Sequence, residues 1–289
     1  MRGRSLCLLT LALASAAPAS AQTKGLDLES WIVIEEEEAP EPPFFQASVG
    51  FLSWVEAQTN LRADKDGVRG TRLVDLEEEH GLDEQGIGPW AELSLGGAVR
   101  GGADAAWVYR GGHFEPQRGP VLFDGARVAG RNDLLRTELT FFTASGFVEW
   151  DLLVGRSYRL GLLGGTRYFR LDVDLRAFGA RGSRQESARG ELFSPYFGGL
   201  IELLPFPYFS VLVRAQFMNW SWSSVGLREA RFFEFRLGAK LWPWPRRLSL
   251  GVEFRFLSLR ASGREARSAD SLELALAASG AVFFCEVAF

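Results

Sequence analysis

The sequence predicts an all-β chain folded as a closed, antiparallel, up-and-down transmembrane β-barrel of about ten strands. Three observations lead there: period-two alternation of apolar and polar residues through most of 44–289, connections of alternating length, and a last strand that ends on Phe289. Hydrophobic residues make up 47% and aromatics 13%. The chain lacks the run of roughly 20 apolar residues that a membrane helix needs, so its apolar residues must be distributed along strands or short helices.

Residues 1–21 follow the export pattern: Arg2 and Arg4, an apolar run from Leu6 to Ala14, then Ala19-Ser20-Ala21 as a cleavage site. The run is too short to span a bilayer, and Cys7 lies too early to be a lipoprotein attachment site. Cleavage leaves Cys285 as the mature chain's one cysteine, so no disulfide framework is expected. It also removes two positive charges, taking the formal net charge from −4 to −6. The whole excess falls in 22–43, where Asp27, Glu29, Glu35 to Glu38 and Glu41 face Lys24 alone. With Ala39-Pro40-Glu41-Pro42-Pro43, this reads as an acidic, Pro-rich periplasmic tether. The balanced remainder offers no basic surface for nucleic acid.

From Phe44 the strands begin. Expected spans are 45–57, 87–99, 103–112, 133–151, 157–175, 189–203, 208–222, 229–242, 246–260 and 271–289, with eight or twelve strands also compatible. The clearest is 246–259, where Leu248, Leu250, Val252, Phe254 and Phe256 alternate with Ser249, Gly251, Glu253 and Arg255. Pro243-Trp244-Pro245 marks a tight turn before it. Short turns are expected at Arg100-Gly101-Gly102, 153–156, 204–207 and 243–245. The remaining connections are mostly longer, and 58–86 is ambiguous because Gly70 to Leu76 could itself be strand. Several strands exceed the 9 to 11 residues or so that cross hydrocarbon, so hairpins should project beyond the outer leaflet. A soluble sandwich would explain the alternation, but not the terminal Phe or the loop asymmetry.

Phe283, Cys285, Val287 and Phe289 fall on one face of the last strand. This pattern resembles the C-terminal assembly signal of Gram-negative outer-membrane β-barrel proteins. The resemblance spans 44–289 and is to the architecture of OmpA-like and related small barrels. It implies Sec-type export to the cell outer membrane, with the barrel-assembly machinery as a partner in biogenesis and outer-membrane lipid and lipopolysaccharide as neighbours. No peptidoglycan-binding domain follows the last strand, so that anchoring role is not expected. The glycine-then-aromatic stretches 165–171 and 251–257 look like strands common in these barrels.

Candidate functional residues fall into three groups. Arg136, Glu138, Arg214, Glu234, Arg236, Glu253 and Arg255 are read as inward charges, forming either a selective pore lining or a closed ion-pair network; their balanced signs favour the network. Trp54, Trp90, Trp150, Tyr208, Trp220, Trp242 and Trp244, with Tyr109, Tyr158 and Trp222, are read as interfacial girdles. His80 and His113 fall in predicted external loops near carboxylates, but no nucleophile motif accompanies them, so they are weak catalytic candidates and no catalytic residue is assigned. The acidic stretch Asp75 to Glu79, with Asp83 and Glu84, lacks the ligand spacing of a calcium loop and reads as a solvated face. No metal or cofactor is expected, and the sequence names no external ligand. The expected role is structural or surface-binding, with a small-solute channel and an outer-rim lipid or peptide hydrolase as alternatives.

Overall fold

In a computed structural model, the protein is described over residues 43–64, 73–116, 121–123, 126–130, 133–179, 182–222, 227–244, 247–264 and 271–289. The expected signal peptide and all but the last residue of the expected tether lie outside these.

The strands are β1 (Phe45–Asp64), β2 (Val74–Asp75), β3 (Gly86–Gly96), β4 (Val99–Phe114), β5 (Val121–Phe123), β6 (Ala126–Ala129) and β7 (Leu134–Val154). There follow β8 (Tyr158–Gly179), β9 (Gly182–Phe206), β10 (Phe209–Trp222), β11 (Leu227–Trp244), β12 (Leu248–Arg264) and β13 (Ser271–Ala288). Ten of them form one antiparallel ring, in the order β1-β3-β4-β7-β8-β9-β10-β11-β12-β13 and back to β1. The seam is tied by reciprocal backbone hydrogen bonds between Phe45 and Phe289, both 2.9 Å, and by contact between their rings. Among the described residues, closure leaves the ten-stranded ring itself without a free edge strand, the condition for a sheet to sit in hydrocarbon.

The described ends, Phe45 and Phe289, share one end of the ring with its tight turns at 97–98, 155–157 and 207–208. The first of these lies earlier than the expected Arg100-Gly101-Gly102, which belongs to β4. Gly96, at φ 127°, turns the chain there at low steric cost. The opposite end carries the longer connections. The ambiguous region holds β2, which pairs with β1, and a single helical turn, α1 (Leu76–His80). Strands β8 and β9 run 22 and 25 residues and are joined by residues 180–181, so the expected 176–188 loop is mostly hairpin.

Alternation changes sense along these long strands. On β8 the outward side chains are Tyr158, Leu160 and Leu162 near the terminal end, but Arg170, Asp172, Asp174 and Arg176 farther out. The inward ones reverse this: Arg159 and Arg167, then buried Phe169, Leu171, Val173 and Leu175. Outward aromatics mark the change, with Trp107, Phe142 and Tyr168 in edge contact across β4, β7 and β8. From Tyr158 to Tyr168 the strand climbs about 33 Å, or about 25 Å along the membrane normal at a tilt of about 40°, the height of an outer-membrane apolar band. One half of the ring is therefore built to face lipid, and the other half to stand in water around a hydrophobic core.

The β1–β13 register places Val49 opposite Cys285, both outward, at a Cα spacing of about 5.5 Å for a pair of this type. Val49→Cys should therefore form a disulfide with native Cys285 under mild oxidation. The readout is a nonreducing gel, on which the cross-linked chain keeps an altered mobility after boiling. Failure to cross-link would contradict the seam register.

Candidate functional site

In the terminal half every strand of the ring but β1 turns charge inward. The residues come from nine strands, each supplied by an alternation that points apolar neighbours at lipid. In the centre, Arg167 of β8 donates to Glu234 of β11 at 2.5 Å and to Asp104 of β4 at 3.1 Å. Arg236 bonds Glu234 at 3.1 Å and Glu92 at 3.2 Å, and Glu92 accepts from Arg214 at 3.1 Å. Arg255 bonds Glu253 at 2.5 Å and lies 4.7 Å from the centre of the Trp90 ring. Arg167 and Arg236 are only 2% and 1% exposed.

Nearer the termini, Arg100 bonds Asp151 at 2.8 Å, and Arg159 bonds Asp151, Glu202 and Glu149. Arg214 lies 3.7 Å from Glu149 and links the two tiers. Farther round the ring, Lys240 of β11 donates to Glu286 of β13 at 2.9 Å, and Ser48 of β1 donates to the same carboxylate. Among the described residues this set comprises seven cations and eight carboxylates. Desolvating so many ions is costly, and only mutual pairing in good geometry offsets it.

Above the ions lies an apolar stopper. Trp54, Phe141, Phe169, Phe232 and Tyr196 contact in sequence at ring separations of 5.3 to 6.4 Å, joining β1, β7, β8, β11 and β9. Leu61, Leu135, Leu139, Leu175, Leu259 and Leu276 fill the space above. A cavity of about 20 Å³ remains where the two layers meet, room for about one water.

The connection 73–85 folds over this core. Asp75 caps α1 by accepting from the amides of Glu77 and Glu78, and Gly81, at φ 66°, ends it. Burial alone would raise the Asp75 carboxyl, but those hydrogen bonds and one from Gln58 hold it below its usual range. Burial pushes Glu77 up, against hydrogen bonds from the Thr59 amide and Arg110. The buried Arg110 guanidinium clamps the connection: it donates to Glu77 at 2.6 Å, to Thr59 Oγ1 at 2.8 Å and to the carbonyl of Asp83. Leu76 and Leu82 are thereby held in the core. The acidic stretch is thus partly consumed in capping and clamping rather than being a solvated face.

The structure places the remaining candidates as follows. Arg214, Glu234, Arg236, Glu253 and Arg255 meet in the lumen. Arg136 and Glu138 do not: they pair with each other at 2.7 Å on the outside, because on this part of β7 the inward positions are Leu135, Thr137 and Leu139. Trp54, Trp90 and Trp242 also point inward, whereas Trp150, Tyr208 and Trp244 lie outward, as do Tyr109 and Tyr158. The side chains of Trp220 and Trp222 lie outside the described residues. Phe283, Cys285, Val287 and Phe289 share the outward face of the terminal strand. His80 is 1% exposed on α1, where its carbonyl accepts from Thr137, and His113 stands outward on β4. Sequence reading missed Glu92, Arg100, Asp104, Glu149, Asp151, Arg159, Arg167, Glu202, Lys240 and Glu286 as network members. Their shared signal is a charge on the strand face opposite lipid-type residues.

Arg167→Ala leaves Asp104 and Glu234 short of a buried counter-ion, and should cost about 3–5 kcal/mol. Arg136→Ala, at an exposed pair, should cost about 0–1 kcal/mol. Urea unfolding from lipid vesicles, read by tryptophan fluorescence, compares the two; equal losses would refute the assignment of inside and outside.

No protein-family model and no curated protein matches the chain. Solved structures similar to it include the outer membrane protease OmpT from Escherichia coli, 12% identical over 88% of this chain and 99% of that one, with a TM-score of 0.47. Others are Ail, the attachment invasion locus protein of Yersinia pestis, at 11% identity, 86% and 99% coverage and 0.30, and the transport unit of the autotransporter AIDA-I from Escherichia coli, at 10%, 90% and 94% and 0.41. Its own ring and apolar wall give the chain the architecture of an antiparallel, up-and-down transmembrane β-barrel.

Proposed function

We propose that this protein is a sealed outer-membrane barrel with a structural or surface-exposed role, not a channel. The observation that carries this reading is the filling of the lumen, by paired ions below and by the ring-to-ring aromatic layer above. An ion entering from the terminal end would have to break buried pairs, and would then meet a layer of packed aromatic rings. In the same reading, export delivers the chain to the outer membrane, the terminal strand from Phe283 to Phe289 is presented to the assembly machinery, and the far-end connections face the medium.

Purified protein in planar lipid bilayers should give no unitary current steps at moderate voltage. Stable, reproducible steps would overturn the sealed barrel in favour of a small-solute channel.

A further inference from the structure

The outer wall bears a furrow of about 340 Å³ where β11, β12, β13 and β1 run side by side. Register builds it in two rows. Phe233 pairs with Ser258, Ser258 with Ala277 and Ala277 with Gln58; one step farther out, Arg231 pairs with Arg260, Arg260 with Ala275 and Ala275 with Asn60. The two alanines make the floor, because longer side chains stand on either side of them.

Two features give the furrow a ligand preference. Like charges directly opposite each other on a sheet repel, yet Arg231 and Arg260 are cross-strand partners. Arg231 shares Glu229 at 2.6 Å, and Glu273 is engaged by Arg62 at 2.8 Å; among the described residues Arg260 makes no ion pair. The lining holds these arginines and three uncharged hydrogen-bonding side chains, and no carboxylate. Height supplies the second feature. Immediately toward the termini the wall becomes apolar, with the Phe233 and Phe256 rings in contact at 6.3 Å, so the arginines stand just above the hydrocarbon boundary.

We propose that the furrow binds a phosphorylated, multiply acylated glycolipid of the outer leaflet, its phosphate held by Arg231 and Arg260 and its acyl chains laid along the wall below. A guanidinium fork matches phosphate oxygens two at a time, and the small floor residues leave room for a sugar beside them. This rests on the reading that the barrel sits in an outer membrane.

The test uses the full-length protein in detergent, with lipid A as the probe and native mass spectrometry counting bound lipid. Wild type should retain lipid A. Arg231→Gln with Arg260→Gln should lower its apparent affinity by about tenfold or more, as should Ala277→Trp, which fills the floor without changing charge. Arg136→Gln, on the wall at β7, should leave binding unchanged. Lipid A stripped of its phosphates should bind as weakly as lipid A does to the double variant. Equal retention by wild type and double variant, equal retention of the stripped lipid, or displacement by millimolar inorganic phosphate would each overturn the proposal. Gel mobility before and after boiling separates the two readings. A wild type whose mobility ignores heat overturns barrel and furrow together, whereas a heat-modifiable wild type without lipid selectivity overturns the furrow alone.

Discussion

Hydrocarbon offers backbone amides no hydrogen-bond partner, so a sheet that enters it must close on itself. In this chain that demand is met at one place, the pairing of β1 with β13, where the Phe45 and Phe289 backbones bond each other directly. Much else follows from it. A ring of ten strands encloses a lumen narrow enough for side chains to fill, so whatever alternation turns inward must pack against what every other strand turns inward. Glu92, Arg214 and Arg236, far apart in sequence, meet for this reason.

The filling then obeys the solvent outside. Where lipid surrounds the ring, apolar residues face out and the polar remainder faces in, and polar groups inside can only be tolerated as pairs. Where water surrounds it, the polar residues turn out and the interior becomes an ordinary hydrophobic core, closed by α1 and its Arg110 clamp. Each half is stabilised differently: the upper by apolar burial, the lower by strand hydrogen bonding in lipid with the ions held in mutual pairs. The stopper of aromatic rings sits at the join.

The ring was legible in sequence because both halves alternate with period two. Ten strands, their order and most turns near the termini can be read that way. The sense of the alternation cannot, since it inverts in mid-strand: Arg136 and Glu138 alternate with apolar residues as convincingly as Glu234 and Arg236 do, yet lie outside. On β1 the register shift between Trp54 and Glu56 moves the inward positions from even to odd numbers, so the pattern breaks near 57 although the strand continues to Asp64. Trp54 and Trp90 mislead for a related reason. An indole suits a headgroup layer, but it suits equally the contact between an aromatic layer and a guanidinium. Helix α1 did leave signals, a capping Asp75 and a terminating Gly81, but five residues are too few to show a helical period.

The inversion along β7, β8 and β9 also fixes depth. Sinking the barrel by two residues would draw Arg170 and Glu191 toward hydrocarbon, where a charge on the lipid face costs up to about 2–4 kcal/mol at the midplane and less near the interface. Raising it would strip lipid from the outward aromatics at the upper boundary, Trp107, Phe142 and Tyr168. The protein thus floats at a waterline written into its own strands, and holds its height as a ballasted hull does.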